Sequence, residues 1–174
     1  AVAIVEAVRA AGHDLRLHIV GSAAPGQTSW LQGLVAGRDW ISWRPGLDRE
    51  ALESLVARQR WGLHCYRFEH YGFAPAELQA LGCITLVHDS GGQREIVRSP
   101  DQRYRDVDDA VRKFLAILRT PERHPRLVEE GLGAAAEHTT AKFEREFRSV
   151  VEAMLAEPRR GRAAPSAALH PGSV

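Results

Sequence analysis

Two carboxylates, Glu69 and Glu77, bracket the stretch Glu69-His70-Tyr71-Gly72-Phe73-Ala74-Pro75-Ala76-Glu77. Gly72 permits close approach of backbone to a ligand. Phe73 and Ala74 open a predicted helix near 74–81, and the free N–H groups of a helix start suit a phosphate or diphosphate. Glu77 lies one turn further in, where a phosphate at the helix start would leave it beside an attached ribose. Two carboxylates flanking an anion would repel it unless they face neutral hydroxyls. That points to a sugar on the Glu69 side and a ribose on the Glu77 side.

The elements that must position these groups follow from periodicity. An apolar stripe over residues 1–11 (Val2, Ile4, Val5, Val8) predicts a helix stopped by Gly12. Strands are expected at Leu15–Val20, Trp40–Trp43, Trp61–Cys65 and Cys83–Val87, with helical stretches around Trp30–Val35, after the Asp48 cap, and near 74–81. Strands alternating with helices argue for βαβ units and a parallel sheet. After residue 105 the pattern is helical, over about 107–119, 121–137 and 140–156. Residues 1–157 therefore read as one α/β domain and 158–174, without periodicity, as a disordered tail. In an open α/β sheet ligands bind beyond the carboxyl ends of the strands. The loops after Val20, Trp43, Cys65 and Val87 are where chemistry is expected.

Composition narrows the class. Among 174 residues, 23 Lys and Arg meet 22 Asp and Glu, a net charge of +1, so no global field recruits nucleic acid or an anionic membrane. No apolar run approaches the ~20 residues needed to span a bilayer. Cys65 and Cys83 are too few for a disulfide framework and are expected as buried free thiols of a reducing, cytoplasmic compartment. The start at Ala1-Val2-Ala3 reads as the inside of a helix, not as a signal peptide.

The stretch Glu69–Glu77 resembles the E-x-F-G-x-x-x-x-E signature of the retaining glycosyltransferases of family 4, which have the GT-B fold, with Tyr71 in place of Phe. Leu81-Gly82-Cys83 and Ser90-Gly91-Gly92-Gln93-Arg94-Glu95-Ile96-Val97 resemble two further elements of that family, and Val20-Gly21 and the helix of Phe143 and Phe147 also fit. The resemblance implies a Rossmann-like α/β domain, the C-terminal, donor-binding half of a GT-B enzyme, lacking its first strand, the family's upstream phosphate-binding cations and the N-terminal acceptor domain. It implies that Glu69 contacts the donor sugar near the reacting centre. Backbone N–H groups of Gly72, Phe73 and Ala74 would meet sugar and diphosphate, and Glu77 would hold the ribose. Gly21, Trp43, Arg44 and Glu95 are candidate walls of that site. Glu69-His70-Tyr71-Gly72 looks most like members that transfer mannose or related hexoses. The nucleotide sugar is substrate, and neither a cofactor nor a metal is expected. Any membrane association would come through the missing half, and the chain alone would bind donor without transferring it.

Other readings compete. Either glutamate could be a solvated acid, and Glu95 could serve only as a helix-start acid. Gly21-Ser22-Ala23-Ala24-Pro25-Gly26-Gln27-Thr28 resembles a P-loop in which Gln27 replaces the phosphate-binding Lys, with Asp89 as the rough candidate for its Mg²⁺ ligand. That suggests a degenerate nucleotide-binding module, and a non-catalytic interaction domain is a third class. Asp106-Val107-Asp108 looks like a metal-binding pair but sits where a helix begins, and capping explains it. His64, His70 and His88 match no zinc spacing and are expected to be locally hydrogen-bonded.

Overall fold

A computed structural model describes residues 1–156. The tail expected over 158–174 lies outside them. The chain divides into two compact units, Ala1–His138 and a second beginning at Thr139.

In the first unit, helices α1 (Val2–Ala10), α2 (Thr28–Val35), α3 (Arg49–Val56) and α4 (Phe73–Ala80) alternate with strands β1 (Leu17–Val20), β2 (Ile41–Arg44), β3 (Trp61–His64) and β4 (Ile84–His88). The order continues through α5 (Gln93–Ile96), β5 (Arg103–Tyr104), α6 (Val107–Leu118) and α7 (His124–Ala136), the last entered by a 3-10 turn at Pro121–Arg123. The expected elements are all present within a few residues of their anticipated bounds. Asp48 caps α3 by accepting from Ala51 N at 2.8 Å, and Asp106 caps α6 by accepting from Asp109 N at 2.8 Å. The pair Asp106/Asp108 thus has the capping explanation in the structure.

Every strand pairing is parallel, giving an α/β architecture with helices on the sheet faces. The strands do not form one ladder. β1 pairs with β2, and β3-β4-β5 form a separate three-stranded sheet. β5 was not anticipated, and α5 was foreseen only as the alternative in which Glu95 is a helix-start acid.

Strand β4 shows how the core is built. Its side chains alternate between faces: Leu86 packs with Ile4 and Val8 of α1 and Phe114 of α6, whereas Val87 packs with Ile96 and Val97. Being covered on both sides, the strand is fully buried over Ile84–Val87, with the Thr85 hydroxyl donating to Cys83 O at 3.2 Å. Cys83 beside it is buried and unpaired, and burial pushes its thiol up to about 11. Cys65, expected to be buried, is only half-buried and receives the Tyr104 hydroxyl at 3.1 Å.

The second unit contains α8 (Thr140–Ala156), whose Phe143 and Phe147 rings stack with centroids 5.8 Å apart. No helix among the described residues is long and apolar enough to cross a membrane.

Candidate functional site

Parallel pairing puts the carboxyl ends of β1 and β2 side by side, and likewise those of β3, β4 and β5. The loops that leave β3 and β4 meet there. After β3 the chain turns through Phe68, held in the left-handed region at φ 59° while its N–H donates to Ser90 Oγ at 3.0 Å. A bulky residue rarely adopts that backbone conformation, so the turn delivering Glu69 is fixed by its surroundings. Gly92 N donates to Glu69 O at 2.7 Å. A Cβ on Gly91 would lie 2.2 Å from Glu69 O, and one on Gly92 2.3 Å from His70 O. The two glycines are there because main chain rests directly on main chain.

Gln93 ties the same loops together from below and is wholly buried. Its Nε2 donates to Tyr66 O at 2.9 Å and His88 O at 2.8 Å, while Oε1 meets His64 Nδ1 at 2.8 Å. With the amide nitrogen committed to two carbonyls, Oε1 must accept, and the His64 proton sits on Nδ1. His64 Nε2 then faces Glu69 Oε2 at 3.9 Å. Glu69 Oε1 lies 3.4 Å from Tyr71 N. Nothing in the spacing of His64 and Gln93, 29 positions apart, reveals this pairing. Gln93 is nevertheless the kind of residue whose burial demands partners.

Gly72 enters α4 at φ 104°, and a Cβ there would lie 3.2 Å from both Gln93 Cα and Ile96 Cγ1. Phe73 and Ala74 are exposed and open α4, whose first intrahelical bond is Ala76 N to Gly72 O at 3.0 Å. Pro75 has no N–H, so the helix start offers the amides of Phe73 and Ala74 to solvent. Tyr71 covers this turn, its ring 4.5 Å from that of Phe73 and its hydroxyl 3.3 Å from His138 Nδ1.

Glu77 points from the second turn of α4 toward α3, where its Oε1 accepts from Arg49 Nη1 at 2.5 Å. Arg49 also donates from Nε to Glu53 at 2.5 Å, and the two carboxylates, Glu77 foremost, hold its guanidinium above the ordinary value. Arg49 is a site neighbour that sequence reasoning missed. A cavity of about 460 Å³ runs from Leu17 and Trp61 at the strand starts to Gly21, Ala74, Glu77 and Arg49 at the carboxyl ends.

The structure thus brings Glu69, Gly72, Phe73 and Ala74 together along one turn, with Glu77 and Gly21 beside it on the cavity wall. Trp43 and Arg44 close β2, one strand further out, and Trp43 Nε1 donates to Gly21 O at 2.9 Å. Glu95 is exposed on α5 and does not line the cavity. Asp89, weighed as a Mg²⁺ ligand, is instead surrounded by Arg94 at 3.2 Å and Arg103 and Arg105 at 3.8 Å. Among the described residues no group of three His, Cys, Asp or Glu is arranged to hold a metal ion.

Residues 2–132 match the family model described as glycosyl transferases group 1. A curated relative is the GDP-Man:Man(3)GlcNAc(2)-PP-Dol alpha-1,2-mannosyltransferase of Dictyostelium discoideum, 22% identical over 120 residues that cover 67% of this chain and 24% of the relative. Among solved structures, a glycosyltransferase from Rickettsia africae ESF-5 superposes with a TM-score of 0.71 at 15% identity, covering 90% of this chain and 45% of that one. The sucrose-phosphate synthase of Thermosynechococcus elongatus gives 0.67 at 18% identity, covering 87% and 42%. The pneumococcal O-GlcNAc transferase GtfA, solved with UDP and GlcNAc, gives 0.67 at 18%, covering 89% and 32%. These likenesses show a shared Rossmann-like fold, and the chain spans less than half the length of each of these four proteins.

Proposed function

The chain belongs to the glycosyl transferases group 1 family, and from that premise we propose that it is a donor-binding domain for a nucleoside-diphosphate sugar in retaining glycosyl transfer. One observation carries the reading. Glu69 and the free amides of Phe73 and Ala74 follow one another along the turn into α4, with Glu77 in the next turn of that helix, at the carboxyl ends of parallel strands, where α/β sheets bind ligands.

In this reading the diphosphate sits at the start of α4, where two amides and the helix dipole oppose the charge that grows as the glycosidic bond breaks. Glu77 accepts from the ribose hydroxyls, with Arg49 either orienting the carboxylate or giving way. Glu69 accepts from hydroxyls of the transferred sugar. Its loop is held by backbone contact with Gly91 and Gly92, so the carboxylate is positioned before the sugar arrives. A mannose-type hexose is the proposed sugar, supported by the printed activity of the Dictyostelium relative. The acceptor is proposed to bind the N-terminal GT-B domain of a longer protein. By itself the chain is then expected to bind donor without transferring it, since losing the orientation of two reactants forfeits up to ~7–11 kcal/mol of barrier reduction.

Calorimetric titration of the chain with UDP, GDP and ADP, each with wild type and Glu77→Ala, tests the reading. A hydroxyl donating to a carboxylate is worth ~1.5–3 kcal/mol, so Glu77→Ala should weaken the preferred nucleotide on the order of tenfold or more. Binding of none of the three, or the same affinity in the variant, would refute it.

A further inference from the structure

His64 closes β3 at its carboxyl end and is fixed from two sides. Its carbonyl accepts from the Tyr104 hydroxyl at 3.2 Å, and its Nδ1–H donates to Gln93 Oε1 at 2.8 Å. Because the Gln93 amide nitrogen is committed to Tyr66 O and His88 O, Oε1 can only accept. The neutral imidazole is thereby held in one tautomer, with a lone pair on Nε2. That lone pair faces Glu69 Oε2 at 3.9 Å. An imidazolium donating to a carboxylate would close to ~2.7–2.9 Å. The distance therefore describes two acceptors that face each other across a gap. Among the described residues neither atom has a hydrogen-bond partner. The two side chains are 19% and 25% exposed, so the gap is sheltered yet open to a ligand. His64 also lines the cavity that reaches Ala74 and Glu77.

We propose that His64 is a second reader of the transferred sugar, and that Glu69 Oε2 and His64 Nε2 together receive two adjacent hydroxyls of one pyranose ring. The inference rests on the donor-site reading above and names a feature of its substrate, an unmodified vicinal diol at the recognised edge. The chemistry of the gap selects it. A hydroxyl has one proton to donate, so a single hydroxyl serves one acceptor and leaves the other unpaired. A carbonyl, carboxylate or phosphate edge brings only acceptors, and both protein atoms repel it. An apolar edge leaves both without a partner, which is unfavourable in a sheltered site. Two neighbouring hydroxyls supply one donor for each acceptor, from a frame whose spacing the ring already fixes. Glu69 Oε1 lies near Tyr71 N, which leaves Oε2 for the sugar. Specificity follows, since a site built to bond a hydroxyl rejects the analogue that lacks it. Being neutral in this tautomer, His64 adds discrimination without drawing the diphosphate away from the start of α4.

The test compares the chain with its His64→Asn variant by calorimetry at about pH 8, above the free-histidine range. Asn offers an amide N–H to Gln93 where Nδ1–H stood, and nothing where Nε2 stood. The titrants are GDP-mannose, UDP-glucose and ADP-glucose, their bare nucleotides, and mono-deoxy analogues of the sugar nucleotide that binds best. In wild type, two analogues missing adjacent hydroxyls should each bind on the order of three- to tenfold more weakly than the parent. In His64→Asn one of those two penalties should vanish, while the other penalty and the affinity for bare nucleotide stay as they were. Nitrogen-15 spectra of wild type with the sugar nucleotide bound should show His64 protonated on Nδ1 alone, a readout that needs no variant. Identical penalties in the two proteins, or penalties at non-adjacent positions, would overturn the inference while leaving the donor site standing. So would a bound His64 protonated on Nε2. Failure of every nucleotide and sugar nucleotide to bind would instead refute the donor site, and the inference with it.

Discussion

Replacing Gln93 with Leu removes the side chain that joins the loops after β3 and β4. Three hydrogen bonds are lost, to Tyr66 O, His88 O and His64 Nδ1. At a net ~1 kcal/mol each the loss comes to about 3 kcal/mol. Leu is close in volume and regains about a third of this by burying apolar surface, leaving a destabilisation of about 2 kcal/mol. For a domain of this size that is a fall in thermal midpoint of about 4–8 °C. Gln93→Glu makes the reasoning sharper. It keeps the shape and one acceptor but presents a carboxylate oxygen to two carbonyls unless it is protonated. The proton is therefore retained more tightly in the folded state than in the unfolded chain, so folding favours low pH. Gln93→Glu should be least destabilised near pH 4, where its single O–H can serve one of the two carbonyls, and should lose further stability as pH rises through the normal glutamate range and beyond. Denaturant melts of both variants between pH 4 and pH 8, each referenced to wild type, measure the effect. A Leu variant within 0–1 °C of wild type, or a Glu variant whose deficit does not grow with pH, would show that Gln93 does not hold these loops.

Two further outcomes are expected. Glu69→Gln should depress turnover of a full-length enzyme far more than the affinity of its donor domain for free nucleotide, because Glu69 is proposed to face the sugar and not the nucleotide; paired turnover and calorimetric measurements with the opposite ranking would reverse the proposed roles of Glu69 and Glu77. Burial raises the Cys83 thiol to about 11, so the native state keeps a proton that the unfolded chain gives up near pH 9, and stability should fall as pH rises from about 9 to about 11; a Cys83→Ala variant whose melts fall just as steeply there would contradict this.

What could be read from the sequence was what local chemistry determines. Asp48 and Asp106 announce helix starts because a short acid before an apolar stripe has one evident use, and both accept the expected backbone bond. The run Ile84–Val87 announces a buried strand by carrying apolar residues on both faces. Within the candidate site, Glu69, Gly72 and Glu77 were legible because a single loop and helix carry all three. The two-residue β5 is too short to show a period, and α5 is a single turn. Long-range pairings were hidden for a different reason. Arg49 meets Glu77 across 28 positions, and Arg94, Arg103 and Arg105 gather round Asp89 from separate elements. No spacing rule reaches across the fold, so these pairings could not be read from the sequence. The division into two sheets was invisible because periodicity identifies strands without saying which edges meet.

The contact of Gly91 and Gly92 with residues 69–71 has a consequence for how this loop can change over time. Main chain touches main chain, so the contact does not register which side chains residues 69–71 carry. His70 and Tyr71 are exposed and can be exchanged without disturbing the seat. The glycines cannot, since any side chain there would collide with carbonyl oxygens. The arrangement works like a socket with an interchangeable plug, in which variation is tolerated on the exposed side and forbidden on the side that holds the loop. A library randomised at 70 and 71 should therefore sample new recognition surfaces on a scaffold that stays folded, whereas the same diversity spent at 91 and 92 would mostly yield broken proteins.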